Sequence, residues 1–172
     1  EAIDPVRFIG NHSSGLMGVE IARAFADQGA DVTLVLGPSN ISPNRKNINL
    51  IPVTSAKEMY DAVMAFFPKT DIAVLSAAVA DFRPEMVADQ KIKKNPENDT
   101  FTIKLVKTED ILKSVGKIKT ENQTVVGFAL ETENGLENAK KKLHTKNIDL
   151  IVLNEMKESG VGFKTKTNKI SI

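Results

Sequence analysis

Cysteine is absent from the 172 residues, which excludes disulfides, thiol catalysis and cysteine-ligated metals. Tryptophan is also absent, tyrosine occurs once, and the two histidines, His12 and His144, are too few for a typical zinc site. No apolar run approaches the roughly 18 residues of a membrane span, and no signal-peptide pattern is visible. The net charge is only +1, so bulk electrostatics argues for neither nucleic acid nor an anionic membrane as partner. These absences leave a cytoplasmic protein that handles a small molecule, with no nucleic acid and no membrane involved. What is present suits one ordinary globular domain: 41% hydrophobic and 26% charged residues.

Strand and helix patterns alternate along the chain. Residues 1–11 read as a loop. Met17, Ile21, Ala24 and Phe25 then recur at helical spacing until Gly29. Residues 31–36, DVTLVL, read as a buried strand ended by Gly37-Pro38. A strand over 48–53, a helix over 55–67 stopped by Pro68 and a strand over 71–76 follow. Residues 100–106, TFTIKLV, alternate like a half-exposed strand. A helix over 109–118, a strand over 124–130, a helix over 134–143 and strands over 148–153 and 168–172 complete the series. This order predicts a single α/β domain over 1–172: a Rossmann-like, open, mostly parallel sheet with helices on both faces. The segment 100–106 is expected to be a small additional β element serving dimerisation. Residues 78–98, with two prolines and a basic cluster, stand out as a functional loop. Such sheets open with a strand before the first turn; none is visible here, so a first strand and a C-terminal segment are expected to be missing.

Four segments carry candidate chemistry, each with a plainer explanation beside it. GNHSSGLMG, residues 10–18, offers small residues, side-chain donors and a helix start to an anion, or simply caps a helix. Arg7 is within reach of the same anion, or is a solvated surface residue. SAAVADFRP, residues 76–84, follows an apolar strand, where open α/β sheets bind ligands. Asp81 there is suited to a ribose hydroxyl or a magnesium ion, or to a turn before Pro84. KIKK, residues 91–94, is a solvated face or a phosphate-neutralising cluster. GFALET, residues 127–132, ends another strand, with Phe128 a core residue or a stacking platform. Lys140, Lys141, Lys142 and Lys146 form a further basic set, surface by default.

Taken in order, IDPVRFIGNHSSGLMG, AAVADFRP, KIKK, EDIL (109–112), GFALET, KNIDLIVLN and GVGF resemble the phosphopantothenoylcysteine synthetase family over almost the whole chain. Bacterial members of that family often follow a flavin-dependent phosphopantothenoylcysteine decarboxylase in one protein. The resemblance implies a ligase of coenzyme A biosynthesis joining 4′-phosphopantothenate to L-cysteine. Its nucleotide is CTP in most bacteria or ATP elsewhere, with Mg2+. The carboxylate would attack the α-phosphate, giving an acyl-cytidylate and pyrophosphate; the cysteine amine would then displace CMP. The resemblance assigns catalysis to Asn11, Lys91 and Arg7. It assigns nucleotide contacts to Ser13, Ser14, Gly15, Ala80, Asp81, Phe82, Lys91, Asp110, Ile111, Phe128, Lys142 and Lys146, and the metal to Asp81. It also implies a homodimer. Departures are Leu16 where many relatives have Lys, and Glu155 where many have Asp.

Two other classes compete. SSGLMGVEIARAFADQGADVTLV resembles the dinucleotide-binding turn of short-chain dehydrogenases. Against that, Gly37-Pro38 replaces the ribose-binding acid, and Met64 stands where the only Tyr, Tyr60, would need its Lys partner. A non-catalytic nucleotide sensor on the same fold is the other.

Overall fold

The computed structural model describes residues 1–94, 100–131, 134–155 and 170–172, the side chains of Glu131 and Glu155 excepted. Helix α1 (Leu16–Asp27) leads into β1 (Val32–Leu36), and β2 (Ile48–Pro52) into α2 (Ala56–Phe66). Then come β3 (Ile72–Leu75), β4 (Phe82–Pro84), β5 (Leu105–Lys107) and α3 (Ile111–Ile118). The chain closes with β6 (Thr124–Glu131), α4 (Gly135–Thr145), β7 (Leu150–Glu155) and β8 (Ile170–Ser171). This is a mixed α/β fold built on parallel strands and helices, the class that the alternating pattern predicts.

Local chemistry sets the helix boundaries. The Ser55 hydroxyl accepts from the Glu58 amide, and Glu58 in turn accepts from the Thr54 amide, so the start of α2 is fixed from both sides. Asp110 caps α3 by accepting from the Lys113 amide. Pro68 does end the long helix, but within a single 3-10 turn, Phe67–Lys69, that carries the chain into β3.

Three expectations need correction. The strands form three hydrogen-bonded groups among the described residues: β1 with β2, β3-β6-β7-β8, and β4 with β5. β1 is half-buried with Thr33 exposed, rather than fully buried. The expected strand over 100–106 is confined to β5, residues 105–107, and its antiparallel partner β4 lies inside the segment read as loop. Pro84 is tolerated because it takes a position that needs no N–H, and the Glu85 amide beyond it donates to the Lys104 carbonyl at 2.9 Å. β8 runs antiparallel to β7, opposite to the neighbouring strand pairs.

The main core joins Phe67, Ile111, Val115, Val125 and Ile148, where α2 and α3 meet the β3-β6 sheet. Its edge is sealed by Gln123, whose amide donates to the carbonyls of Phe67 and Thr70, both at 2.8 Å. Its oxygen accepts from the Thr120 amide at 3.0 Å. Gln123→Leu strands these groups and is expected to cost about 2 kcal/mol, read as a lowered urea midpoint with unchanged slope. No helix of the described residues is long and apolar enough to cross a membrane.

Candidate functional site

The loops after β1 and β3 and the start of α1 meet at the carboxyl ends of the parallel strands. Gly15 precedes α1 at φ 77, and a Cβ there would crowd Leu36 and Ser39 at 3.1 Å, so only glycine brings this turn so close to β1. The Ser39 hydroxyl donates to the Ser14 carbonyl at 2.8 Å. A Cβ on Gly18 would sit 3.3 Å from the Ser76 hydroxyl, which places α1 against the end of β3. The Asn11 amide closes the arrangement by donating to the Val79 carbonyl at 3.0 Å. The bond ties Asn11 to the segment that carries Asp81 two residues further on. Ser13 and Ser14 turn inward on their own turn and accept from the amides of Gly15 and Leu16.

Segment 76–84 is held from outside by Thr108. Its hydroxyl donates to the Ala80 carbonyl at 2.7 Å, and its amide donates to the Asp81 carbonyl at 3.0 Å. The side chains of Asp81 and Phe82 are exposed. Asp81 stands without a metal-binding group around it: among the described residues no cluster of three or more His, Asp or Glu is placed to hold an ion.

Arg7, half-exposed, pairs with the buried Asp4. Asp4, 2% exposed, accepts from the amides of Val6 and Arg7 with one oxygen, and from Arg7 Nε and Nη2 and the Ile92 amide with the other. Arg7 Nη2 also donates to the Ile92 carbonyl at 2.6 Å. Burial pushes the Asp4 carboxyl up, but the Val6 and Ile92 amides and the Arg7 guanidinium outweigh it and hold the group well below the ordinary carboxylate range. Lys91, Lys93 and Lys94 flank Ile92 on the exposed face of this segment. Asp4 and Thr108 escaped the sequence reading. An Asp-Pro pair is a turn signal that could have marked Asp4; Thr108 carries none.

The remaining candidates form a second cluster at the start of α3. Lys146 is ion-paired with Asp110, while Lys142 donates to the Phe128 carbonyl at 3.2 Å. Ile111 is a core residue, 7% exposed, and Phe128 is half-buried. Partial burial raises the Asp110 pKa, but Lys146 and the Lys113 amide lower it by more, so the net shift is downward. A depressed carboxyl contributes stability above its unfolded value, about 4, and loses it as the pH falls through that value toward the folded one. Asp110→Asn should therefore flatten the loss of stability below about pH 4 and cost stability at pH 7, checked by urea titration at pH 3 and pH 7.

The fold is a mixed α/β domain in which the loops after β1 and β3 meet the start of α1. The family model for the DNA/pantothenate metabolism flavoprotein C-terminal domain matches residues 1–172, and the chain belongs to that family. One curated relative, described as cysteine/cysteine sulfinic acid decarboxylase from an unknown prokaryotic organism, is 52% identical over the whole chain, which covers 47% of that protein. The coenzyme A biosynthesis bifunctional protein CoaBC of Vibrio vulnificus is 47% identical, again over the whole chain and 43% of its own length. The chain thus spans about half the length of the curated relatives it matches. Among solved structures, the C-terminal domain of a CoaBC protein is 42% identical with a TM-score of 0.77, over 90% of this chain and 71% of that one. A flavoprotein of the same description from Streptococcus pneumoniae, 21% identical, superposes with a TM-score of 0.82 over 99% of this chain and 87% of that one. A Cab2 mutant described as a complex with phosphopantothenate-cysteine is 20% identical with a TM-score of 0.72, over 90% and 69% of the two chains. The last two show the fold alone.

These matches correct the expected identity. The matched family is described as a flavoprotein domain and the 52% identical relative as a decarboxylase; neither description names a synthetase, a ligase or CTP. The CTP-dependent ligase, with ATP and Mg2+ as companions, is withdrawn, and so are the dehydrogenase and nucleotide-sensor alternatives. The physical reason is that the quoted segments build turns, caps and a basic strap; such a frame identifies a family without dictating one reaction. The flavin implied by the family description does not fit the described residues. Phe8 and Phe82 are 77% and 46% exposed and so give no enclosed aromatic slot for a tricyclic ring. A cavity of about 420 Å3, lined by Asp31–Thr33 and Lys46–Asn49, lies at the opposite, amino ends of β1 and β2 and has no aromatic wall.

Proposed function

We propose that the strand-end face of this domain binds the phosphopantothenate–cysteine adduct within a bifunctional coenzyme A biosynthesis protein. The observation that carries this is the Asn11–Val79 hydrogen bond, which joins the GNHSSG turn to the segment after β3. Beside it, the basic strap 91–94 is fastened to the N-terminal loop through Arg7 and Asp4. The adduct carries a phosphate and a carboxylate. Lys91, with Lys93 and Lys94, supplies cations for the phosphate. The Asn11 amide and the Ser13 and Ser14 hydroxyl protons supply donors, and Gly15 turns the chain into the start of α1. Ala80, Asp81 and Phe82 line the adjoining loop. Asp110, Phe128, Lys142 and Lys146 make a second wall whose cations serve the ligand's far end, with Ile111 anchoring it in the core. The adduct's name in the Cab2 complex and the coenzyme A role of the CoaBC relatives support this choice of ligand. The loss of CO2 named for the 52% identical relative needs an electron sink. We assign that step to the flavin-bearing remainder of the longer protein, with this domain holding the adduct. That role also places the protein in the cytoplasm.

Titration of the adduct into labelled protein tests the assignment. The Asn11 side-chain amide and the backbone of Ala80 and Ile92 should shift. Shifts confined to Asp31–Thr33 and Lys46–Asn49 would reject it.

A homodimer belongs to the same proposal. Phe82, Met86, Val87, Phe101 and Leu105, on and beside the β4-β5 ribbon, are 42–83% exposed, an apolar set that a second copy would cover. Light scattering should give a dimer for the wild type and a monomer for Phe101→Glu.

A further inference from the structure

We propose that Asp4 is a positioning residue: with Arg7 it latches the lysine-bearing strap, residues 91–94, in the place where the strap meets the ligand. The proposal rests on the adduct-binding face just described and names what holds it together.

No helix or strand includes residues 85–94, so the strap depends on its cross-links to the rest of the chain. Three of them run to the N-terminal loop. The Ala88 amide donates to the Ile3 carbonyl at 3.0 Å. Four residues later, both backbone groups of Ile92 are taken: its N–H donates to Asp4 Oδ2 at 3.1 Å, and its carbonyl accepts from Arg7 Nη2 at 2.6 Å. An ion pair thus does for one residue what a neighbouring strand does in a sheet, satisfying donor and acceptor together. Lys91 and Lys93 project on either side of the clamped residue, both exposed.

The latch is itself fixed. The Asp4 side chain is fully buried, and five N–H donors converge on its two oxygens. A buried carboxylate persists only when paired and hydrogen-bonded in this way. Arg7 spends Nε and Nη2 on Asp4 and Ile92, so most of its hydrogen-bonding capacity goes to the latch. Arg7 accordingly acts through the strap, with Nη1 the part left to face a ligand. Asp4→Asn keeps the shape, removes the charge and sets an NH2 against groups that are all donors.

The test uses the full-length protein in wild-type, Asp4→Asn and Arg7→Gln forms. Trypsin cleaves after lysine, and local proteolysis tracks the population of the open segment. Cleavage after Lys91, Lys93 or Lys94 should rise about tenfold in both variants while cleavage after the lysines outside the strap keeps its rate. The second arm is a double-mutant cycle on affinity for the phosphopantothenate–cysteine adduct. Lys91→Gln should weaken binding about tenfold in the wild type and leave it nearly unchanged in the Asp4→Asn background, because the strap is already out of place. A general loss of stability would instead leave the two effects additive. If Asp4→Asn does not fold, Arg7→Gln, at a half-exposed position, carries both arms. Wild-type strap cleavage in the variants overturns the latch, and additive losses overturn its role in binding. If the wild type binds no adduct, the functional assignment fails by itself and the cleavage arm alone decides the latch.

Discussion

Gly116→Val is expected to destabilise the domain by about 3 kcal/mol, a fall in Tm of roughly 6–12 °C for a chain of this size. A Cβ on Gly116 would overlap the carbonyl oxygen of Lys146 and stand 2.9 Å from its carbonyl carbon. Backbone cannot swing aside as a side-chain tip can. The same close approach lets the Asn147 side-chain amide donate to the Gly116 carbonyl at 2.8 Å. Gly116→Ala is the sharper diagnostic. In an ordinary helix interior that change stabilises by about 0.5–1 kcal/mol; here the sign should reverse. Any shift of Lys146 also withdraws its ammonium from Asp110, so the pH dependence below about pH 4 should flatten in the same variant. Thermal unfolding followed by circular dichroism at pH 7 and pH 3 reads both effects.

Asn11→Asp should abolish adduct binding at the strand ends, an effect of about a hundredfold or more. The wild-type amide donates to the Val79 carbonyl. An aspartate offers only acceptors, so a carboxylate would face a carbonyl oxygen on one side and an anionic ligand on the other. Losing a charge-assisted hydrogen bond costs about 1.5–3 kcal/mol, and the like-charge contact adds to it. Asn11→Ala, which removes the donor without adding charge, should lose about tenfold. Competition against a fluorescent phosphopantetheine analogue separates the two. Equal affinities for both variants and wild type would remove Asn11 from the site.

How far the sequence reveals this molecule varies by element. Helices α2 and α3 announce themselves because their caps are local: Ser55 with Glu58, and Asp110 with the Lys113 amide, lie within three residues of each other. The parallel strands are legible as short apolar runs, with Gly37-Pro38 marking the end of β1. The β4-β5 ribbon is not, because three residues around Arg83-Pro84 carry no usable period. The partner they need is some twenty residues away. The site divides likewise. The turn at Asn11–Gly15 and the loop at Ala80–Phe82 could be placed together from the rule that ligands gather at strand ends. The Asp4–Arg7–Ile92 latch could not, since it joins positions 88 residues apart by side-chain to backbone bonds. The sequence offers Arg7 to an anion, and its guanidinium grips Asp4. The order of the segments points to a synthetase family, which the flavoprotein-domain match and the decarboxylase relative overturn, because those segments specify a frame and not a reaction.

The most direct test is calorimetric titration of the full-length protein with phosphopantothenate–cysteine and with its dephosphorylated form. A strand-end site predicts saturable binding at one adduct per chain. It also predicts about tenfold weaker binding without the phosphate, and a matching loss with the intact adduct in Lys91→Gln. Equal affinity for the two ligands, with Lys91→Gln and Asn11→Asp indistinguishable from wild type, would contradict it.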